Sequence, residues 1–150
     1  MPDTNIARYF QLFNEIGIID QLARAMFEAR LPEGILVSHF SILNHLVRVR
    51  DGQTPLALAR AFQTPKTTIT HTVSVLVRHG FVELRPNPKD GRSKCVFISE
   101  EGRAFRDQAI AALAPDLDEI AAIFPPKKIE PLIEGLEALR VWMDVRRDSD

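Results

Sequence analysis

The chain has one cysteine, Cys95, and only four histidines. A lone thiol closes no internal disulfide, and this is a poor supply of ligands for structural zinc, so packing alone is expected to hold the fold, without metal or other cofactor. No apolar run approaches the roughly 18 residues that cross a bilayer, and Met1-Pro2-Asp3-Thr4-Asn5 lacks the basic-then-apolar order of an export signal. A soluble, unexported, cytoplasmic protein without membrane contact follows as the expectation. Also missing are a phosphate-cradling glycine loop, a His-Glu metal pair and a nucleophile elbow, so an enzyme is not expected. His39 and His45 are six apart, which puts them on different faces of a helix, a poor start for a shared metal.

What is present is 150 residues with 45% hydrophobic and 26% charged side chains, the balance of a globular domain with a real core. Net charge is −1, but its distribution is uneven. Residues 55 to 95 hold seven bases and two acids, whereas residues 96 to 150 hold seven bases and twelve acids. A basic segment between neutral and acidic flanks marks a face that meets a polyanion.

Apolar spacing divides the chain into helices and one hairpin. Asn5 to about Arg30 reads as a long helix with Ile6, Phe10, Phe13, Leu22 and Phe27 in a stripe, and with Leu12, Ile18 and Ile19 off it. A helix apolar on more than one side is either central in the monomer or part of a subunit interface. Leu31-Pro32-Glu33-Gly34 stops it, and Ser38 is the expected cap of a second helix to about Val49. After the Asp51-Gly52 turn, Pro55 opens a helix to Phe62. Gln63-Thr64-Pro65 separates it from another over Lys66 to His79, stopped by Gly80.

Phe81 to Arg85 and Lys94 to Ile98 alternate as strands around a turn-rich tip, Pro86 to Ser93. Ser99 with Glu100 and Glu101 starts a helix expected to reach Phe124, kinked but not broken at Pro115, and ended by Pro125-Pro126. A last helix over about Ile129 to Arg146 leaves a frayed tip, Arg147 to Asp150.

The helix from Lys66 to His79 carries the chemistry. Ile69, Val73, Leu76 and Val77 make a core face. Lys66, Thr67, Thr70, His71, Ser74 and Arg78 make the other, a stripe of donors and acceptors without a carboxylate that suits base edges and phosphates. The hairpin tip that follows adds Lys89, Asp90, Arg92 and Lys94. A helix, a short turn, a polar-faced second helix and a basic hairpin together form a winged helix-turn-helix, with the helix sized for a major groove and the hairpin for the minor groove beside it.

Leu58-Ala59, Thr67-Thr68-Ile69-Thr70, Leu76, Gly80-Phe81-Val82, Asp90-Gly91-Arg92-Ser93-Lys94 and Ile98-Ser99-Glu100-Glu101-Gly102 resemble the MarR family of transcription regulators across nearly the whole chain. The resemblance implies a mostly α fold with a small β-hairpin wing. It implies a DNA-binding winged domain over residues 38–99 and dimerisation helices over 5–35 and 100–147. It further implies a homodimeric regulator, a repressor on a pseudo-palindromic operator, in which Arg92 enters the minor groove, Asp90 braces it, and Thr67, Thr70, His71 and Ser74 face the major groove. Two such helices must stand roughly 34 to 36 Å apart, one duplex turn. A small-molecule effector lodged near His39, Phe40 and Leu43 is a further implication. Two alternatives stand beside it: a winged-helix module that binds protein instead of DNA, which predicts an apolar stripe on the second helix, and a redox-responsive regulator using Cys95.

Overall fold

The winged-helix segment begins where a left-handed Gly34 (φ 85°) lets the chain reverse after the first helix, α1 (Thr4–Glu28). This is a computed structural model that describes residues 4–149, so Met1-Pro2-Asp3 and the expected loose end at Asp150 lie outside the described residues. The chain forms two compact units, one ending at Ala112 and one beginning at Leu113.

In the first unit, α2 (Val37–Arg48) starts two residues earlier than a Ser38 cap requires. Its orphan N–H groups have other acceptors. His39 Nδ1 takes the Leu36 N–H at 2.8 Å, and Glu28 Oε1, from the end of α1, takes that of Val37 at 3.3 Å. Phe27 packs edge-on against Phe40 with centroids 4.5 Å apart, which docks the end of α1 on α2. Helix α3 (Pro55–Phe62) has Pro55 in its first turn and Thr54 as cap, its side chain accepting from Ala57 N–H at 3.1 Å. Gln63 then turns the chain in the left-handed region, φ 51°.

Helix α4 (Lys66–Arg78) buries Ile69, Val73 and Leu76 as expected, but Val77 is exposed and Thr72 is buried in its stead. At about 100° per residue both flank the buried stripe by the same 40°, Thr72 beside Leu76 and Val77 beside Val73, so spacing alone does not choose between them. The Thr72 hydroxyl is satisfied by the Thr68 carbonyl at 2.9 Å, which makes its burial inexpensive.

Strands β1 (Val82–Asn87) and β2 (Asp90–Ile98) pair antiparallel from Val82↔Ile98 to Pro86↔Lys94, with an irregularity before Asn87↔Asp90. The strands therefore climb several residues further into the tip than alternation suggested, leaving Pro88-Lys89 to make the turn. Pro86 is compatible with this because β1 is an edge strand. Gln53 bridges Val96 on the other edge of β2.

Helix α5 (Glu100–Ala111) is capped by Ser99, whose Oγ accepts from Gly102 N–H at 3.0 Å and donates to the Gly80 carbonyl at 2.6 Å. A Cβ on Gly102 would meet the Phe81 carbonyl oxygen at 2.1 Å, so this close approach of helix and wing root requires glycine. Leu43, Leu58, Leu76 and Val96, from four different elements, are fully buried at the centre of the core.

The second unit holds α6 (Ala114–Ile123) and α7 (Pro126–Ser149). The helix from Ser99 does not run kinked to Phe124; it breaks at Ala112-Leu113, and Pro115 sits in the first turn of a new helix. Pro115 has no N–H for the Ala111 carbonyl and its ring collides there, whereas in a first turn both costs vanish. Helix α7 begins at Pro126, not Ile129, for the same reason, and passes through Pro131. Nor does it fray at Arg147: the guanidinium reaches Asp144 at 3.4 Å and Asp148 at 3.0 Å, and Ser149 Oγ donates to the Val145 carbonyl at 2.8 Å.

Candidate nucleic-acid interface

The buried stripe of α4 forces its other side outward. Lys66, Thr67, Thr70, His71, Ser74 and Arg78 are all exposed, with no carboxylate among them. Their hydroxyls differ in what is left to offer. Ser74 Oγ donates to the His71 carbonyl at 2.7 Å, so its proton is committed. Among the described residues the Thr67 and Thr70 hydroxyls make no internal hydrogen bond. Thr68 is exposed beside them and belongs to the same surface. Helical spacing alone marks the stripe opposite Ile69 and omits Thr68; its place in the Thr67-Thr68 pair at the helix start is the signal for it.

Gly80 (φ 75°) ends α4 and turns the chain directly into the wing. His79 stacks on Phe81 (5.4 Å) and Phe81 on Phe105 (4.5 Å), so the end of α4, the wing root and α5 share one column of rings. At the tip, Asp90 Oδ1 accepts the Arg92 N–H at 3.0 Å, a bond to the backbone of Arg92 and not to its guanidinium. Asn87 Oδ1 takes the Lys89 N–H at 3.1 Å, and Asn87 Nδ2 donates to Ser93 Oγ at 2.9 Å. These short-range turns rigidify the tip while Lys89, Arg92 and Lys94 remain exposed.

The basic stretch holds two acids, and both are engaged within it. Glu83 pairs with Arg85, whose guanidinium also lies 4.2 Å from the centroid of the Phe97 ring. Asp90 is held by the tip backbone. Among the described residues, Lys66, Arg78, Lys89, Arg92 and Lys94 therefore have no carboxylate partner, and their charge is available to an external anion.

The three effector-pocket candidates lie in the interior. Leu43 is part of the central core, Phe40 is buried against Phe27, and His39 is buried with Nδ1 on the Leu36 N–H. Burial, reinforced by the imidazoles of His79 and His71, holds the His39 pKa below its ordinary value. Burial likewise lowers His45, with Arg48 adding to it. Cys95 is buried on β2. Among the described residues no three His, Cys, Asp or Glu side chains are grouped to hold a metal ion, and no helix is long and apolar enough to cross a membrane.

Comparison with known proteins points the same way as this geometry. Residues 33–93 match the model of the MarR family. The solved transcriptional regulator BldR from Sulfolobus solfataricus is 26% identical, with 93% of this chain and 99% of that one aligned at a TM-score of 0.78. Wild-type MarR from E. coli, in its apo form, is 24% identical over 85% of this chain and 95% of that one, with a TM-score of 0.73. The PcaV transcriptional regulator from Streptomyces coelicolor, solved in complex with its natural ligand, shares the fold at 18% identity, 83% and 88% coverage and a TM-score of 0.65.

Proposed function

We propose that this chain is a MarR-family winged-helix protein that binds double-stranded DNA in the cytoplasm as a homodimeric repressor. The observation that carries this reading is the exposed, carboxylate-free face of α4 joined through Gly80 to a braced wing tip bearing an unpaired Arg92. The hydroxyls of Thr67 and Thr70, with His71, address base edges in the major groove. Lys66 and Arg78 address phosphates, and Arg92 with Lys89 and Lys94 addresses the adjacent minor groove. The polar character of the stripe argues against a protein-binding module, and the burial of Cys95 argues against a readily oxidised sensor.

The second copy is proposed because the end helices leave apolar side chains uncovered, and twofold pairing presents two recognition helices to successive turns of a pseudo-palindromic site. Release by a small effector completes the proposal, with His39 and Phe40 at the α1–α2 junction as candidate contacts. Leu43, wholly enclosed, serves packing in this conformation.

Selection of bound sequences from a random duplex pool, followed by titration with salt, tests the reading. A protein that neutralises phosphates with these cations loses affinity linearly in log–log form as salt rises. No retained sequence, or binding indifferent to salt, overturns it.

A further inference from the structure

A two-stranded ribbon standing alone is marginal in water, yet this wing has to hold Arg92 in a fixed place relative to α4. Its own ladder does not set that direction; anchors at its root do. The loop after α2 supplies them. Gly52 N–H donates to the Val96 carbonyl at 3.0 Å and Val96 N–H to the Gln53 carbonyl at 2.8 Å, so the loop pairs with the free edge of β2. Gln53 is buried, and its Nε2 donates to the Arg50 carbonyl at 3.0 Å.

Asp51 adds a different kind of contact. Its Oδ1 accepts the N–H of Gly52 at 3.0 Å and the N–H of Ile98, 47 residues away, also at 3.0 Å. Its Oδ2 faces the Arg103 guanidinium of α5 at 3.7 Å. One carboxylate therefore holds the loop, the last residue of the wing and the helix that leaves it. Gly52 permits this approach: its φ is 71°, and a Cβ there would stand 2.7 Å from the Phe97 ring.

We propose that Asp51 is a positioning residue for DNA binding, which sets the direction in which the wing presents Arg92. The proposal rests on the reading that the wing meets DNA. Asp51 itself spends Oδ1 on internal backbone donors, so it acts through the wing and not on the duplex. A charged acceptor on two N–H groups is also stronger than a neutral one, which suits an anchor at the base of a lever.

The test uses the full chain as wild type, D51A, D51N, R92A and D51A/R92A. Amide exchange in the free protein is expected to accelerate by about tenfold across Lys94 to Ile98 in D51A while the amides of α2 and α4 keep their wild-type rates. D51N, which keeps an oxygen for both donors, is expected to restore most of the protection. On a duplex that the wild type has selected from a random pool, D51A weakens binding by about tenfold, and it adds nothing to the loss in R92A because a wing without Arg92 has no contact to misplace.

Unchanged exchange in β2 overturns the proposal, as does acceleration that extends equally to α2 and α4, failure of D51N to rescue, or losses in D51A and R92A that simply multiply. A wild-type chain that selects no duplex removes the DNA reading itself. The exchange data then still judge separately whether Asp51 holds the wing.

Discussion

The winged helix and the terminal helices use the same sequence pattern with opposite results. In α2, α3 and α4, apolar residues at three- and four-residue spacing are covered by the chain itself, and Leu43, Leu58 and Leu76 are fully enclosed. In α1, α6 and α7 the stripes are as apolar, yet none of their described residues is buried; Phe10 is 70% exposed and Trp142 58%. Periodicity thus identifies a face that needs cover without saying which molecule covers it. Apolar helix faces left open in this way mark association sites, and the twofold assembly proposed above is the cover they suit.

The contrast breaks most sharply in the terminal helices. Leu136→Glu, on α7, is expected to leave the winged helix folded while converting a dimer to monomer in sedimentation at micromolar concentration. Losing the tethered second half-site then weakens operator binding by roughly 100-fold or more. A monomer with full affinity would contradict the dimer. Leu76→Ala is expected to do the reverse: it destabilises the winged helix by about 2–5 kcal/mol, through lost burial and a residual cavity. Chemical denaturation at two protein concentrations separates the cases, since subunit association makes apparent stability depend on concentration and a core cavity does not.

The legibility of the sequence follows the same division. Where local chemistry decides, sequence and structure agree: Pro55 at a helix start, Ser99 as a cap, Gly80 as a stop and the polar stripe of α4 all lie where spacing puts them. Where a partner distant in sequence decides, they do not. Ser38 looked like a cap by residue type, but a buried imidazole and a carboxylate from α1 reach the helix end first. The apolar face that continues past Pro115 suggests a kink, but a continuous stripe is equally compatible with two helices meeting at a break. Asp51-Gly52 announced a turn but not the bond to Ile98, since a contact across 47 residues has no local signature.

Within the winged helix, exposure and hydrogen bonding rank the site residues. Arg92→Ala removes an exposed guanidinium that contributes nothing to the core, so the thermal midpoint and the dimer should be unchanged while operator binding weakens by about 1–3 kcal/mol. Ser74→Ala should cost less than Thr70→Ala on the same duplex, because the Ser74 proton is already held by the His71 carbonyl. Equal losses at both positions would show that the internal bond yields on binding.

The smallest effect concerns pH, and it again separates the two regions. All four histidines, at 39, 45, 71 and 79, lie within the winged helix and none in α1, α6 or α7. Burial disfavours the protonated form of His39, and its Nδ1 must be unprotonated to accept the Leu36 N–H. Its native pKa therefore lies below the ordinary 6.5 of the unfolded chain. Between the two values the unfolded state binds more protons, so stability rises with pH; the contribution is present above about 6.5 and is lost as pH falls toward the native value. His45, lowered in the same direction, adds to the slope. Denaturation midpoints at pH 7.5 and 5.5 should accordingly differ, with amides of α2 losing protection first, and His39→Gln should flatten the difference because glutamine does not titrate. An undiminished difference in that variant would place the pH sensitivity outside the α2 cap, with His45, also lowered by burial, as the next group to replace.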